Sequence, residues 1–126
     1  MALEDLRKNG MMTHLLDALD DGQDIGHYGR LVFAIIARHF VDEDELVQTL
    51  AQDEDFGEAE AKSLVKQVSA KDYSPPSRET ILGYQEKQDF AILPDTEDPD
   101  AGNVYQDLTF PDDVYEHISE YYEHKV

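Results

Sequence analysis

Three groups of side chains in this sequence have the types and spacing that chemistry can use. The first lies in "DIGHYGRLVFAIIARHF" (24–40), where His27 and Arg30 stand three residues apart, just ahead of a nearly uninterrupted apolar run. A guanidinium offers phosphate oxygens a planar fork of donors, stays charged at any working pH and sheds water more readily than an ammonium. His27 would add a donor and, when protonated, a second positive charge. The plainer alternative is that Arg30 pairs with Asp24 or Asp42 while His27 caps or packs, since structural ion pairs also use such residues. The second group is "KDYSPPSR" (71–78), where Lys71 and Arg78 flank Tyr73 and Ser77. With Arg30 these cations would make one basic spot on an acidic body, helped by backbone amides near a helix start. Its alternative is a turn in which the Tyr73 ring seals the core edge and the bases are solvated. In the third group, His117, Glu120 and His124 share one face of a helix. Two turns separate those histidines and no second helix supplies a matching set, so a solvated stripe is expected and no metal or other cofactor.

Nothing in the chain singles out a catalytic centre. Carboxylates are abundant, yet no pair stands apart as a desolvated acid/base couple. Ser77 has no histidine–acid partnership nearby, and neither a glycine-rich phosphate loop nor a zinc-protease signature occurs. The expectation is a protein that is not an enzyme.

The elements that must position these groups read as helices. "LEDLRKNG" and "MMTHLLDALDDG" are helical pieces separated at Asn9-Gly10, and Met12, Leu15, Leu16 and Leu19 recur at helical spacing. Over 28–40, Leu31, Val32, Phe33, Ile35, Ile36 and Phe40 wrap most of the circumference, which predicts a central helix buried on several sides. Asp42, with Glu45 three residues on, is a cap for a helix carrying Leu46, Val47 and Leu50. Phe56, Ala61, Leu64, Val65 and Val68 form the next apolar stripe. Ser74 before Pro75 and Pro76 reads as a cap and first turn, with the helix running through Ile81 and Leu82 towards Gln88. "DFAIL" (89–93) and "NVYQDLTF" (103–110) look extended around a mobile loop at 94–103, and a last helix presents Val114, Tyr115, Ile118, Tyr121 and Tyr122. The expected fold is mainly α: a compact bundle of five or six helices, with a small β-hairpin in the C-terminal third.

At 126 residues the chain fits a single domain spanning 1–126, with a helical core over 10–82 and an acidic extension over 86–126. No apolar run approaches the ~20 residues that span a bilayer, and no signal segment opens the chain, so a cytoplasmic protein without membrane contact is expected. The absence of cysteine removes disulfides, thiolate metal sites and thiol nucleophiles together. Twenty-nine acids against ten bases give a net charge of −19, and residues 86–126 hold twelve acids and two bases. That field opposes non-specific nucleic-acid binding. It suits a halophilic host, where the Debye length falls to ~3 Å at 1 M salt and self-repulsion fades. A basic partner and DNA mimicry are the other readings; aspartate exceeding glutamate and the spread of acid favour salt adaptation or simple solubility.

In order and spacing, four segments resemble the C-terminal domain of the large subunit of archaeal and eukaryotic DNA primase. "MMTHLLDALDDG" looks like that family's opening helix, with Met11 or Met12 where the first cluster cysteine stands. "DIGHYGRLVFAIIA" resembles its histidine-glycine-arginine entry into a buried helix, and "DEDELVQTLAQDEDFGEAEAKSLVKQV" the following helix pair. "YSPPSRETI" resembles its tyrosine-proline-serine-cysteine segment, with Arg78 at the place of the second cysteine. The likeness covers roughly residues 10–82. Without cysteines this chain cannot hold the family's iron–sulfur centre, and Gly26 stands where an additional base is common. The resemblance implies a non-catalytic module that binds a nucleotide triphosphate or primer–template beside a primase catalytic subunit or another replication protein. His27, Arg30, Tyr73 and Ser77 are carried over from its motifs, and Lys71 and Arg78 complete the anion-facing cluster. The alternative is an acidic protein-interaction module on the same scaffold, with ligand binding lost. The nucleotide reading has a geometric requirement: the amino end of the central helix and the double-proline turn must meet, so that their cations share a pocket.

Overall fold

In a computed structural model, the described residues are 3–53, 56–71, 73, 76, 78–88, 90–93 and 108. They form six helices and no strand: α1 (Leu3–Leu6), α2 (Gly10–Asp20), α3 (Gly26–Ala37), α4 (Glu43–Leu50), α5 (Glu58–Lys71) and α6 (Arg78–Glu86). No described helix is long and apolar enough to cross a membrane. The residues 94–107 and 109–126, on which the expected loop, second extended segment and terminal helix fall, lie outside this description.

Local sequence explains most boundaries. Asn9, itself buried, caps α2 by accepting the Met12 amide hydrogen at 3.0 Å, so the Asn9-Gly10 break starts one helix as it ends another. Gly22, at φ 72°, turns the chain after α2 through a conformation that side chains disfavour. Asp42 accepts from the Glu45 amide at 2.8 Å and opens α4. The double-proline turn departs from expectation. Pro76 lies outside any helix and α6 begins at Arg78, so Pro76 does not form the helix's first turn, and Ser74 and Pro75 lie outside the described residues.

Around α3 the bundle closes. It packs against α2, α4, α5 and α6, and every residue from Val32 to Ala37 is buried. Leu15, Leu19, Phe33, Ile36, Leu46, Leu50, Val68 and Ile81 fill the same core. Each large side chain so buried contributes about 1.5–3 kcal/mol relative to exposure. α4 and α5 share the most extensive helix–helix contact, their apolar stripes covering one side of α3.

The course of α6 decides the geometry of the candidate site. Just ahead of it, the carbonyl of Tyr73 accepts from Arg38 Nη2 at 2.9 Å, at the carboxyl end of α3. Near its end, Tyr84 stacks on Tyr28, and beyond it Gln88 bonds to Ile25 and Tyr28, at the amino end of α3. α6 therefore runs back along α3, antiparallel to it. Ile92 and Leu93 then enter the core, joined there by Leu108.

Candidate functional site

The amino end of α3 is built from three carbonyl-bearing side chains and one guanidinium. Asp24 Oδ1 accepts the Gly26 amide hydrogen at 2.8 Å, and Asp53 Oδ2 accepts that of Ile25 at 2.9 Å. Arg30 Nη1 reaches both carboxylates, at 3.1 Å to Asp24 and 3.2 Å to Asp53, while its Cζ lies 4.4 Å from the centroid of the Phe56 ring. The Asp53 side chain is fully buried and that of Arg30 is 11% exposed. Arg30 thus joins the start of α3 to the segment between α4 and α5, as a buried ion pair with an aromatic floor. One cation between two carboxylates leaves this cluster net negative. An arriving phosphate would meet repulsion there, and the guanidinium has its face and one terminal nitrogen already occupied.

A second layer lies on the solvent side. The Gln88 carboxamide donates to the carbonyls of Ile25 (2.9 Å) and Phe90 (3.0 Å), and its Oε1 accepts from the Tyr28 amide (2.9 Å). Gly26 makes room for it: at φ 80°, a β-carbon there would collide with the Gln88 carboxamide. His27 is exposed and its ring meets Tyr28 edge-on at 5.2 Å. Tyr28 and Tyr84 stack at 4.8 Å with planes 16° apart, and Lys87 Nζ sits 5.7 Å from the Tyr28 centroid. Beside this ledge is a concavity of about 330 Å³ lined by Asp24, Gly26, Lys87, Gln88 and Phe90.

Among the described residues, the expected ones do not share one pocket. His27 and Arg30 belong to the amino end of α3, Arg30 turned inward and His27 outward. Tyr73 lies at the other end, near Arg38; at ~1.5 Å of rise per residue, Arg30 and Arg38 are separated by roughly 12 Å along the axis. Tyr73 is the one large hydrophobic side chain exposed among the described residues, and Lys71 is exposed at the end of α5. Arg78 opens α6, the end of that helix remote from Arg30, and Ser77 lies outside the described residues. The bland pairing with Asp24 is present; Asp42 is engaged instead as the cap of α4.

Sequence reading missed Asp53, Tyr84, Lys87 and Gln88. Asp53 sits in an acid-rich loop without periodicity, and a glutamine after a helix carries no signal of its own. The stacking of Tyr84 on Tyr28 was legible only through the antiparallel course of α6. Among the described residues, no group of three or more histidines, aspartates or glutamates is arranged to hold a metal ion, and His117, Glu120 and His124 lie outside them. In comparison with known proteins, the chain matches no family model, no curated protein and no solved structure.

Proposed function

We propose that this chain is a non-catalytic helical module that acts through protein contact, presenting an acidic surface to a basic partner. The observation that supports this reading over anion binding is the neutralised Arg30. The best anion ligand in the sequence is buried between two carboxylates, so the amino end of α3 repels phosphate and attracts cations. Exposed carboxylates in the first turns of α4 (Glu43, Asp44, Glu45) and α5 (Glu58, Glu60) extend the same field. The resemblance to the primase large subunit nominates a primase catalytic subunit or another replication protein as partner. The test mixes the full chain with purified primase catalytic subunit at rising salt. Co-elution that weakens as salt rises, and that Glu43→Gln/Asp44→Asn/Glu45→Gln diminishes, is the expected result. No co-elution at any salt removes that partner, and salt-independent co-elution removes the electrostatic basis.

A second reading retains nucleotide or primer–template binding, and one arrangement favours it. His27 and Lys87 flank the stacked Tyr28–Tyr84 pair beside the concavity, and base–aromatic stacking is worth ~1–3 kcal/mol per base. On this reading Lys87 replaces Arg30 as the phosphate ligand. A 5′-triphosphorylated primer–template would then bind more tightly than plain duplex, and Lys87→Ala would remove the preference. Equal binding of the two nucleic acids eliminates it.

A further inference from the structure

We infer that Asn9 is a covalent modification site: its side-chain amide converts to a carboxylate, as aspartate or isoaspartate, only in chains whose α2 start has opened, and the isoaspartate form cannot close it again. The chain has two asparagines, and only Asn9 is followed by glycine; Asn103 precedes Val104. In an asparagine–glycine pair no β-carbon shields the glycine nitrogen. That nitrogen attacks the asparagine Cγ and forms a C–N bond, closing a five-membered succinimide. The side-chain amide takes up its proton and leaves as ammonia. Water then adds to one of the two ring carbonyls and breaks the C–N bond there. Opening at the main-chain carbonyl gives isoaspartate, in which the main chain runs through the side-chain methylene; opening at the other gives aspartate. One water enters and one ammonia leaves, with no change of oxidation state.

The folded chain holds the pair out of this reaction. Asn9 is 1% exposed, and its Oδ1 accepts the Met12 amide hydrogen at 3.0 Å, which fixes the side chain across the first turn of α2. Its backbone is held as firmly. The Asn9 amide donates to the Leu6 carbonyl at 3.1 Å, and the Asn9 carbonyl accepts from the Thr13 amide at 3.0 Å. Leu6, Met11 and Met12 are buried on either side, so these bonds are anchored in the core. They keep Asn9 at ψ 128°. In an L-residue the succinimide requires the next nitrogen to be nearly eclipsed with the β-carbon, which needs a strongly negative ψ; at 128° the Gly10 nitrogen points well away from Cγ. The products bear unequally on the cap. Isoaspartate inserts a methylene into the main chain ahead of Gly10, displacing both the carbonyl that meets Thr13 and the acceptor that meets Met12. Aspartate keeps the acceptor but brings a charge to a buried position. This inference is independent of either functional reading.

The test incubates the full chain at mildly alkaline pH, in native buffer and in denaturing guanidinium chloride, and follows residue 9 by peptide mapping for the amide-to-acid mass change and for isoaspartate. Asn9 should convert in the denatured chain ahead of Asn103, and more than about tenfold more slowly in the native chain. A β-carbon at position 10 meets no atom within 4 Å, so Gly10→Ala adds only a shield over the nitrogen and should lose most of the conversion in denaturant. Isoaspartate-bearing chains, separated by anion exchange and returned to native buffer, should melt below unmodified ones. Equal rates in native and denatured chains would show that the fold does not protect Asn9. Denatured wild type converting no faster than Gly10→Ala, or faster at Asn103 than at Asn9, removes the site. Isoaspartate-bearing chains that melt with unmodified ones would show that the cap is remade.

Discussion

Arg30 is where one residue's chemistry and its surroundings part company. Everything that suits a guanidinium to phosphate also suits it to two carboxylates and an aromatic face, and which it finds depends on the fold. Asp24 was legible as a partner, being six residues away in the same stretch. Asp53 was not, because 23 residues and a helix separate it from Arg30. Burial sets the relative weights of the two contacts. Asp24 is 48% exposed, so Asp24→Ala should cost about 1–2 kcal/mol, under about 1 kcal/mol from the exposed pair and the rest from the Gly26 amide bond. Arg30→Met removes the cation beside the buried Asp53 carboxylate, at a cost of about 3–5 kcal/mol. Arg30→Met/Asp53→Leu should be less destabilised than Arg30→Met alone, because the buried negative charge is gone. Urea unfolding of the three variants measures this. A cost for Arg30→Met no larger than that for Asp24→Ala would mean that the buried pair does not hold the start of α3.

At the scale of elements, caps and apolar stripes were readable because their determinants are local. Asp42 three residues before its amide donor, and leucines three and four apart, are statements about single turns of helix. The beginning of α6 was not readable in the same way. A serine followed by prolines fits a first turn, but Pro76 lies outside α6, which begins at Arg78. The small hairpin has no strand among the described residues; Phe90 and Leu93 bond instead to the side chains of Gln88 and Gln85. The two observed caps separate capping from charge. Asn9 is buried and neutral, so Asn9→Ala should cost about 1–2 kcal/mol at any salt. Asp42 is exposed and sits beside Glu43, Asp44 and Glu45, so its cap bond is offset by repulsion. Asp42→Asn keeps the acceptor and removes the charge, and should change stability by less than about 0.5 kcal/mol at 0.1 M salt. Thermal melts of both variants at two salt concentrations check the pair; equal salt sensitivity would refute the distinction.

Across the whole molecule two opposing terms meet in the acidic third. Leu108 is buried with Ile92 and Leu93, so residues past α6 contribute to the core. Residues 94–126 also carry ten acids and one base, so deleting them changes the formal charge from −19 to −10. Removing Leu108 from the core costs about 1.5–3 kcal/mol whatever the salt. Relief of self-repulsion works the other way, and only where charges still sense one another. The Debye length falls from ~10 Å at 0.1 M salt to ~3 Å at 1 M, so the relief fades as salt rises. Full-length chain should therefore gain stability between 0.1 and 1 M sodium chloride more than the chain ending at Leu93 does. The truncated chain should be clearly the less stable at 1 M, with the gap narrowing at 0.1 M. Melting curves of the two chains across that range measure both slopes. Parallel slopes would show that charge in the last third does not act on the folded body, and a truncated chain as stable as the full one at 1 M would show that Leu108 does not contribute to its core.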